Sequence, residues 1–90
     1  MIFRKARKVT VGNVAVTNLR ETGARPVALS QLYYASGGGA IEISNDAAFS
    51  AGSGFPVPAG EIFTCYDNSP NLYARVSTGT QDIWIADYES

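Results

Sequence analysis

The sequence predicts an all-β domain, a small antiparallel β-sandwich or barrel of seven or eight short strands. Three observations lead there. Apolar residues recur with a period of two over residues 9–17, 40–44 and 81–88, the pattern of strands with one face inward. The connectors between such runs are built from Gly, Pro, Asn, Asp and Ser. No segment sustains the 3.6-residue period of a helix. With 90 residues the chain makes one domain, and a chain of that size buries only about 60–65% of its unfolded surface.

The order begins with MIFRKARK, residues 1–8, read as a basic arm ahead of a single β domain at 9–90. Such an arm either frays or docks Ile2 and Phe3 in a groove while Arg4, Lys5, Arg7 and Lys8 meet carboxylates. Residues 9–17 alternate cleanly around Gly12-Asn13, which implies a tight hairpin or a bulge. Val9 and Val11 share one face there, and Val14 and Val16 share one face. Residues 18–26 are polar, with a Gly and a Pro, and form a loop. Residues 27–35 fit a helical turn or a strand; the Tyr33-Tyr34 pair and the glycines after it favour a strand. Ser36-Gly37-Gly38-Gly39 is a flexible connector or a place of close backbone approach. AIEIS, residues 40–44, is a strand with Ile41 and Ile43 inward, followed by an Asn45-Asp46 turn.

The chain then reaches GSGFPVPAGEIFTCY, residues 52–66, around which the rest is organised. Gly52 and Gly54 permit backbone angles closed to other residues, whereas Pro56 and Pro58 fix φ and lack a donor. Phe55 and Val57 are the apolar anchors between these breakers. Such a segment cannot be helical and cannot lie within a sheet, since each Pro leaves a ladder bond unmade. It reads as the corner where the chain crosses from one sheet, or one side of a barrel, to the other. Ala59-Gly60 turns the chain, and residues 61–66, 72–77 and 81–88 follow as strands of an antiparallel meander. In the last of them Ile83 and Ile85 line one face. Trp84 and Ala86 line the other, so both faces are expected to be covered by a second sheet or a neighbouring subunit.

Charge divides the chain. Residues 1–25 hold six cations and one anion, a net of +5, while residues 26–90 hold one cation and seven anions, a net of −6. A basic head on an acidic body suits an acidic partner or the body of a neighbouring copy. Only 17% of residues are charged, which suggests that part of the surface meets protein rather than water. A single cysteine, Cys65, excludes an internal disulfide and reads as a small core residue. No apolar run approaches the roughly 20 residues of a membrane span. No apolar stretch follows the charged start, so a signal peptide is not expected and synthesis in a reducing cytoplasm fits.

Catalytic chemistry is not expected, and no cofactor or metal is called for. There is no histidine, which removes the commonest general base and the ligand on which cupin-like metal enzymes rely. Cys65 has no activating neighbour in sequence. The carboxylates at Asp46, Glu61, Asp67 and Asp82 sit beside turn residues and read as solvated. Asn45, Asp46, Asp67, Asn68 and Asp82 do not match a calcium-loop spacing. The glycine run lacks the following Lys-Ser/Thr of a phosphate loop. Beyond the arm, nucleic-acid binding would need cations among the aromatics, and residues 26–90 offer only Arg75. The five tyrosines leave sugar stacking open.

The second half carries a further pattern. Gly54, Phe55, Pro56, Val57, Gly60 and Glu61 form a G-F-P-apolar-x-x-G-E corner. Leu72, Tyr73 and Ala74 open the next strand, Gly79-Thr80 make a turn, and a final strand closes the run. Over about residues 40–88 this resembles small virion proteins of tailed bacteriophages, of the head-decoration or capsid-cement type. The resemblance implies a non-enzymatic structural protein on the outer surface of a phage head, bound to the major capsid protein and often trimeric. Pieces of head or tail fibres look similar too, and a fibre or spike module that holds a host glycan with its Tyr and Trp residues is the rival reading. The resemblance brings no ligand residues with it. The contact residues expected on physical grounds are the arm (Ile2, Phe3, Arg4, Lys5, Arg7, Lys8) and the aromatics Trp84 and Tyr88. Gly54, Phe55, Pro56, Gly60 and Glu61 are expected to serve as a structural corner.

Overall fold

The computed structural model describes residues 2–20, 28–66 and 71–89. Its elements are β1 (Ile2–Gly12), β2 (Thr17–Asn18), β3 (Leu29–Tyr33), β4 (Ile41–Ser44), β5 (Phe55–Pro56), β6 (Phe63–Cys65), β7 (Tyr73–Val76) and β8 (Thr80–Glu89). They form two four-stranded antiparallel sheets, ordered β1-β8-β3-β6 and β2-β7-β4-β5. The first sheet turns Val11, Leu32, Ile83 and Ile85 inward; the second supplies Ile41, Ile43, Ala74 and Val76 to the same core. The all-β expectation holds, and the segment at 27–35 supplies strand β3.

β8 is the spine of the first sheet. It pairs with β1 from Ile2↔Glu89 to Gly12↔Thr80 and with β3 from Leu29↔Tyr88 to Tyr33↔Trp84. Ile83 and Ile85 point inward, as expected, and the two-residue period sends Asp87 inward after them. A buried carboxylate must be compensated. Ser30, directly opposite on β3, donates its hydroxyl to Asp87 Oδ1 at 2.7 Å. Arg20 donates to Ser30 Oγ and lies 3.6 Å from Asp87 Oδ1. Arg7 of β1 reaches Asp87 Oδ2 at 3.6 Å and donates to the Leu19 carbonyl. The two arginines and the aspartate thus form a polar plug at one end of the sandwich.

The corner at 52–60 does cross between sheets, with β5 in the second and β6 in the first. Backbone bonds from Val57 to Ile41 O (2.9 Å) and from Gly60 to Tyr34 O (2.8 Å) pin it. The buried Tyr34 hydroxyl donates to Val57 O at 2.6 Å and accepts from Ile41 N at 3.2 Å. Gly60 has φ of 78°, in the left-handed region that favours glycine. The Glu42 carboxylate accepts from Gly52 N and Gly54 N, at 2.9 and 2.8 Å, and so folds the loop onto β4. At Gly54 a β-carbon would stand 2.6 Å from Phe49 Cε2 and 3.0 Å from the Ile43 carbonyl.

Several expectations are corrected. Residues 2–8 are not an arm: they are the first part of β1, held by β8, with an irregularity between Phe3 and Lys5. No domain boundary falls at 8/9. Gly12-Asn13 makes neither hairpin nor bulge: the chain bends at 13–15 and enters the other sheet as β2, because β8 already pairs with β1 and β7 pairs with β2. Val14 is left 92% exposed in that bend, while Val16 is half-buried just ahead of β2. The meander is absent: β6, β7 and β8 alternate between sheets, so their connectors are crossings. Pro56 does lie in a sheet, but in a two-residue edge strand, where a missing N–H breaks no second ladder. The turn carrying Asp67 and Asn68 lies outside the described residues, as do Arg25 and Glu21.

Two destabilisations are expected. Asp87→Ala leaves buried arginine charge without its carboxylate and should cost about 3–5 kcal/mol, read by chemical denaturation. Gly54→Ala should cost about 1–3 kcal/mol, since the new methyl meets a backbone carbonyl as well as a ring.

Candidate interaction surface

The period that buries Ile83, Ile85 and Asp87 sends Trp84, Ala86 and Tyr88 to the outward face of the first sheet. Cross-strand register then assembles neighbours around them. Trp84 lies between Lys8 of β1 and Tyr33 of β3; Ala86 lies between Ala6 and Gln31; Tyr88 lies between Phe3 and Leu29. Ile62, just before β6, borders Tyr33 and Trp84. Trp84, Ile62 and Phe3 are 53, 66 and 55% exposed, and Tyr33 is also open to solvent. Together they make an aromatic and aliphatic strip across all four strands.

The strip has relief. Ala6 and Ala86 are too small to fill the space between the larger side chains. A groove of about 140 Å³ opens there, walled by Trp84, Tyr33, Ile62 and Gln31. That is close to the ~150 Å³ of an apolar cavity able to take a benzene ring. The groove's polar neighbours are engaged with one another. Tyr88 donates its hydroxyl to Gln31 Oε1 at 3.0 Å and meets Phe3 edge-on, with centroids 5.5 Å apart. Lys8 places its ammonium 5.4 Å from the Trp84 ring centre and 4.0 Å from Asp82 Oδ2. Asp82 in turn accepts from the Thr10 hydroxyl at 2.7 Å. Trp84, Phe3 and Tyr88 thus each rest against a neighbour before any partner arrives.

The expected contact residues separate. Phe3, Lys8, Trp84 and Tyr88 converge on the strip; Ile2 stands exposed at the start of β1, with Arg4 and Lys5 after it. Arg7 does not belong with them, because its guanidinium turns inward to Leu19 and Asp87. Tyr33, Ile62, Ala6 and Ala86 were not among the expected residues. Their signal was the outward register opposite Trp84, which needed the strand pairing to be read. Among the described residues, no second layer covers Trp84.

The corner residues sit elsewhere. Gly54 and Gly60 shape the crossing, Glu61 is exposed, and Pro56 lies in β5 beside β4. Phe55 of β5 and Phe63 of β6 lean together at 5.5 Å across the two sheet edges. Cys65 is half-buried against the core. Among the described residues no group of three or more Cys, Asp or Glu side chains could hold a metal ion. Nor, among them, is any helix long and apolar enough to cross a membrane.

Comparison of the chain with protein-family models, curated proteins and solved structures finds no match.

Trp84 is the only tryptophan, so it reports on the strip. In the dilute free protein, acrylamide should quench its fluorescence readily and its emission should be that of a water-exposed indole. A blue-shifted, poorly quenched emission would contradict the open surface.

Proposed function

We propose that the chain is a non-enzymatic structural virion protein that decorates the outer surface of a phage head. It stabilises the shell through contacts that bridge copies of the major capsid protein, as a homo-oligomer with a trimer favoured. The observation that carries this reading is the preformed apolar strip of Trp84, Tyr33, Ile62 and Phe3 on one sheet face. Large exposed apolar surface with aromatics at its centre marks protein docking. The strands of this sheet are 11, 10, 5 and 3 residues long, and at about 3.4 Å per residue and 4.8 Å between strands they give a face on the order of 470 Å². That is somewhat more than half of the ~800 Å² each partner contributes to a standard interface. The corner and closing-strand motifs, which resemble phage decoration proteins, supply the setting. Many copies of one modest contact raise the barrier to shell rupture without chemistry.

A fibre or spike module gripping a host glycan is the alternative, favoured by Trp84 and Tyr33 being cross-strand neighbours on one face. Sugar sites also need convergent polar groups to fix orientation. Here Gln31 is already bonded to Tyr88, and Asp82 to Thr10.

Copy number decides between the two. Quantitative mass spectrometry of virions carrying this chain should find hundreds of copies per particle; a handful would favour the spike. On shells stripped of the protein, Trp84→Ala should weaken rebinding roughly 30-fold, the scale of an interface hot spot, with little change in melting temperature. Undiminished rebinding would remove the strip from the interface.

A further inference from the structure

We infer that the strip has a second occupant when no shell is present: another copy of the same chain, packed face to face on the first sheet about a twofold axis. The inference rests on the reading that the strip is a docking face, and names the partner that covers it in free solution.

The outward face is ridged across its strands. Cross-strand register sets Lys8, Trp84 and Tyr33 side by side as one row, and Ala6, Ala86 and Gln31 as the next. Phe3 and Tyr88 make the row beyond the alanines, and Thr10 and Asp82 the row beyond the tryptophan. Along β1 and β8 the rows therefore alternate small and large. The groove lies over the alanine row, with Trp84 and Tyr33 as its wall.

A twofold contact between like copies needs a patch that fits its own half-turn. Turning a second copy over about an axis across the strands, level with Ile85, meets that need. Trp84 of each copy then falls on Ala86 of the other, and Lys8 on Ala6. The Phe3 and Tyr88 row falls on the Thr10 and Asp82 row. Large side chains enter small rows at every level, the interdigitation by which stacked sheets pack about 10 Å apart. Lys8 and Asp82 already pair within each copy, at 4.0 Å, so the contact sets no like charges directly opposite.

Two faces of about 470 Å² bury on the order of 940 Å² in all, short of the ~1,200 Å² at which standard interfaces begin. The pair is accordingly weak and reversible. It shields the apolar strip in the free protein and gives way where the shell offers a contact repeated over many copies. This contact closes at two members, so the trimer favoured on the shell uses other surfaces.

Sedimentation velocity on the intact chain, from about 1 µM to about 1 mM, tests the inference. A monomer–dimer equilibrium with a dissociation constant on the order of 100 µM is expected. The emission of Trp84, the only tryptophan, should shift to the blue over the same range. Trp84→Ala and Ala86→Trp should each weaken pairing at least roughly tenfold, the first by leaving holes and the second by setting indole on indole. Mixed in equal amounts, the two variants should pair again, because each large side chain then meets an alanine. Melting temperatures check that both fold, and Ala86→Leu takes the place of Ala86→Trp should the latter not fold. A chain monomeric throughout, a larger assembly in place of the dimer, full pairing by Trp84→Ala, or a mixture that pairs no better than its parts would overturn the inference. Should the chain stay monomeric while coating shells in high copy, the pairing falls and the decoration reading stands. Pairing by a chain absent from virions would do the opposite.

Discussion

The two-residue period of β8 is the constraint from which the rest of this molecule follows. Pairing with β1 on one side and β3 on the other fixes its register, and a slip by one residue would exchange its faces entirely. With that register set, Ile83 and Ile85 anchor the core, and Asp87 has to enter it as well. Ser30, Arg7 and Arg20 answer the buried carboxylate from three other parts of the chain. The same register leaves Trp84, Ala86 and Tyr88 facing out. The polar plug and the apolar strip are thus two faces of one strand.

The second sheet serves to hold the first in place. One of its links is the crossing at residues 52–60, where Tyr34 bonds both Val57 and Ile41 through one hydroxyl. Glu42 gathers the glycine loop, and Phe55 meets Phe63 across the seam. None of these groups reaches the outward face of the first sheet. The strip is therefore backed by a packed sandwich rather than by loops, and Trp84, Phe3 and Tyr88 already rest against neighbours. Binding would then require little further ordering of side chains, which favours affinity.

Much of this was legible in the sequence. Alternating β-branched and aromatic residues located the strands, and the Gly/Pro segment announced a crossing because few other arrangements accommodate Pro56, Pro58 and Gly60 together. The outward Trp84 pointed to a surface needing cover. What could not be read was pairing between distant segments. Residues 2–8 look like a loose basic tail until β8, some eighty residues later, is placed against them. Gly12-Asn13 and Gly79 look like hairpin turns because their local chemistry is the same whether the chain returns to its own sheet or passes to the other. Tyr33 and Ile62 join the strip only through cross-strand register, and Arg7 leaves the basic surface because its place opposite inward-facing Ile85 turns it toward Asp87.

The outward face of the first sheet is where we propose that this protein meets its partner. Hydroxyl-radical footprinting of the free chain and of the chain on its particle tests that most directly. Trp84, Tyr33 and Phe3 should become protected on the particle, while an exposed side chain away from that face, such as Val14 in the bend between β1 and β2, stays reactive. Trp84 oxidised as fast on the particle as in solution would contradict it.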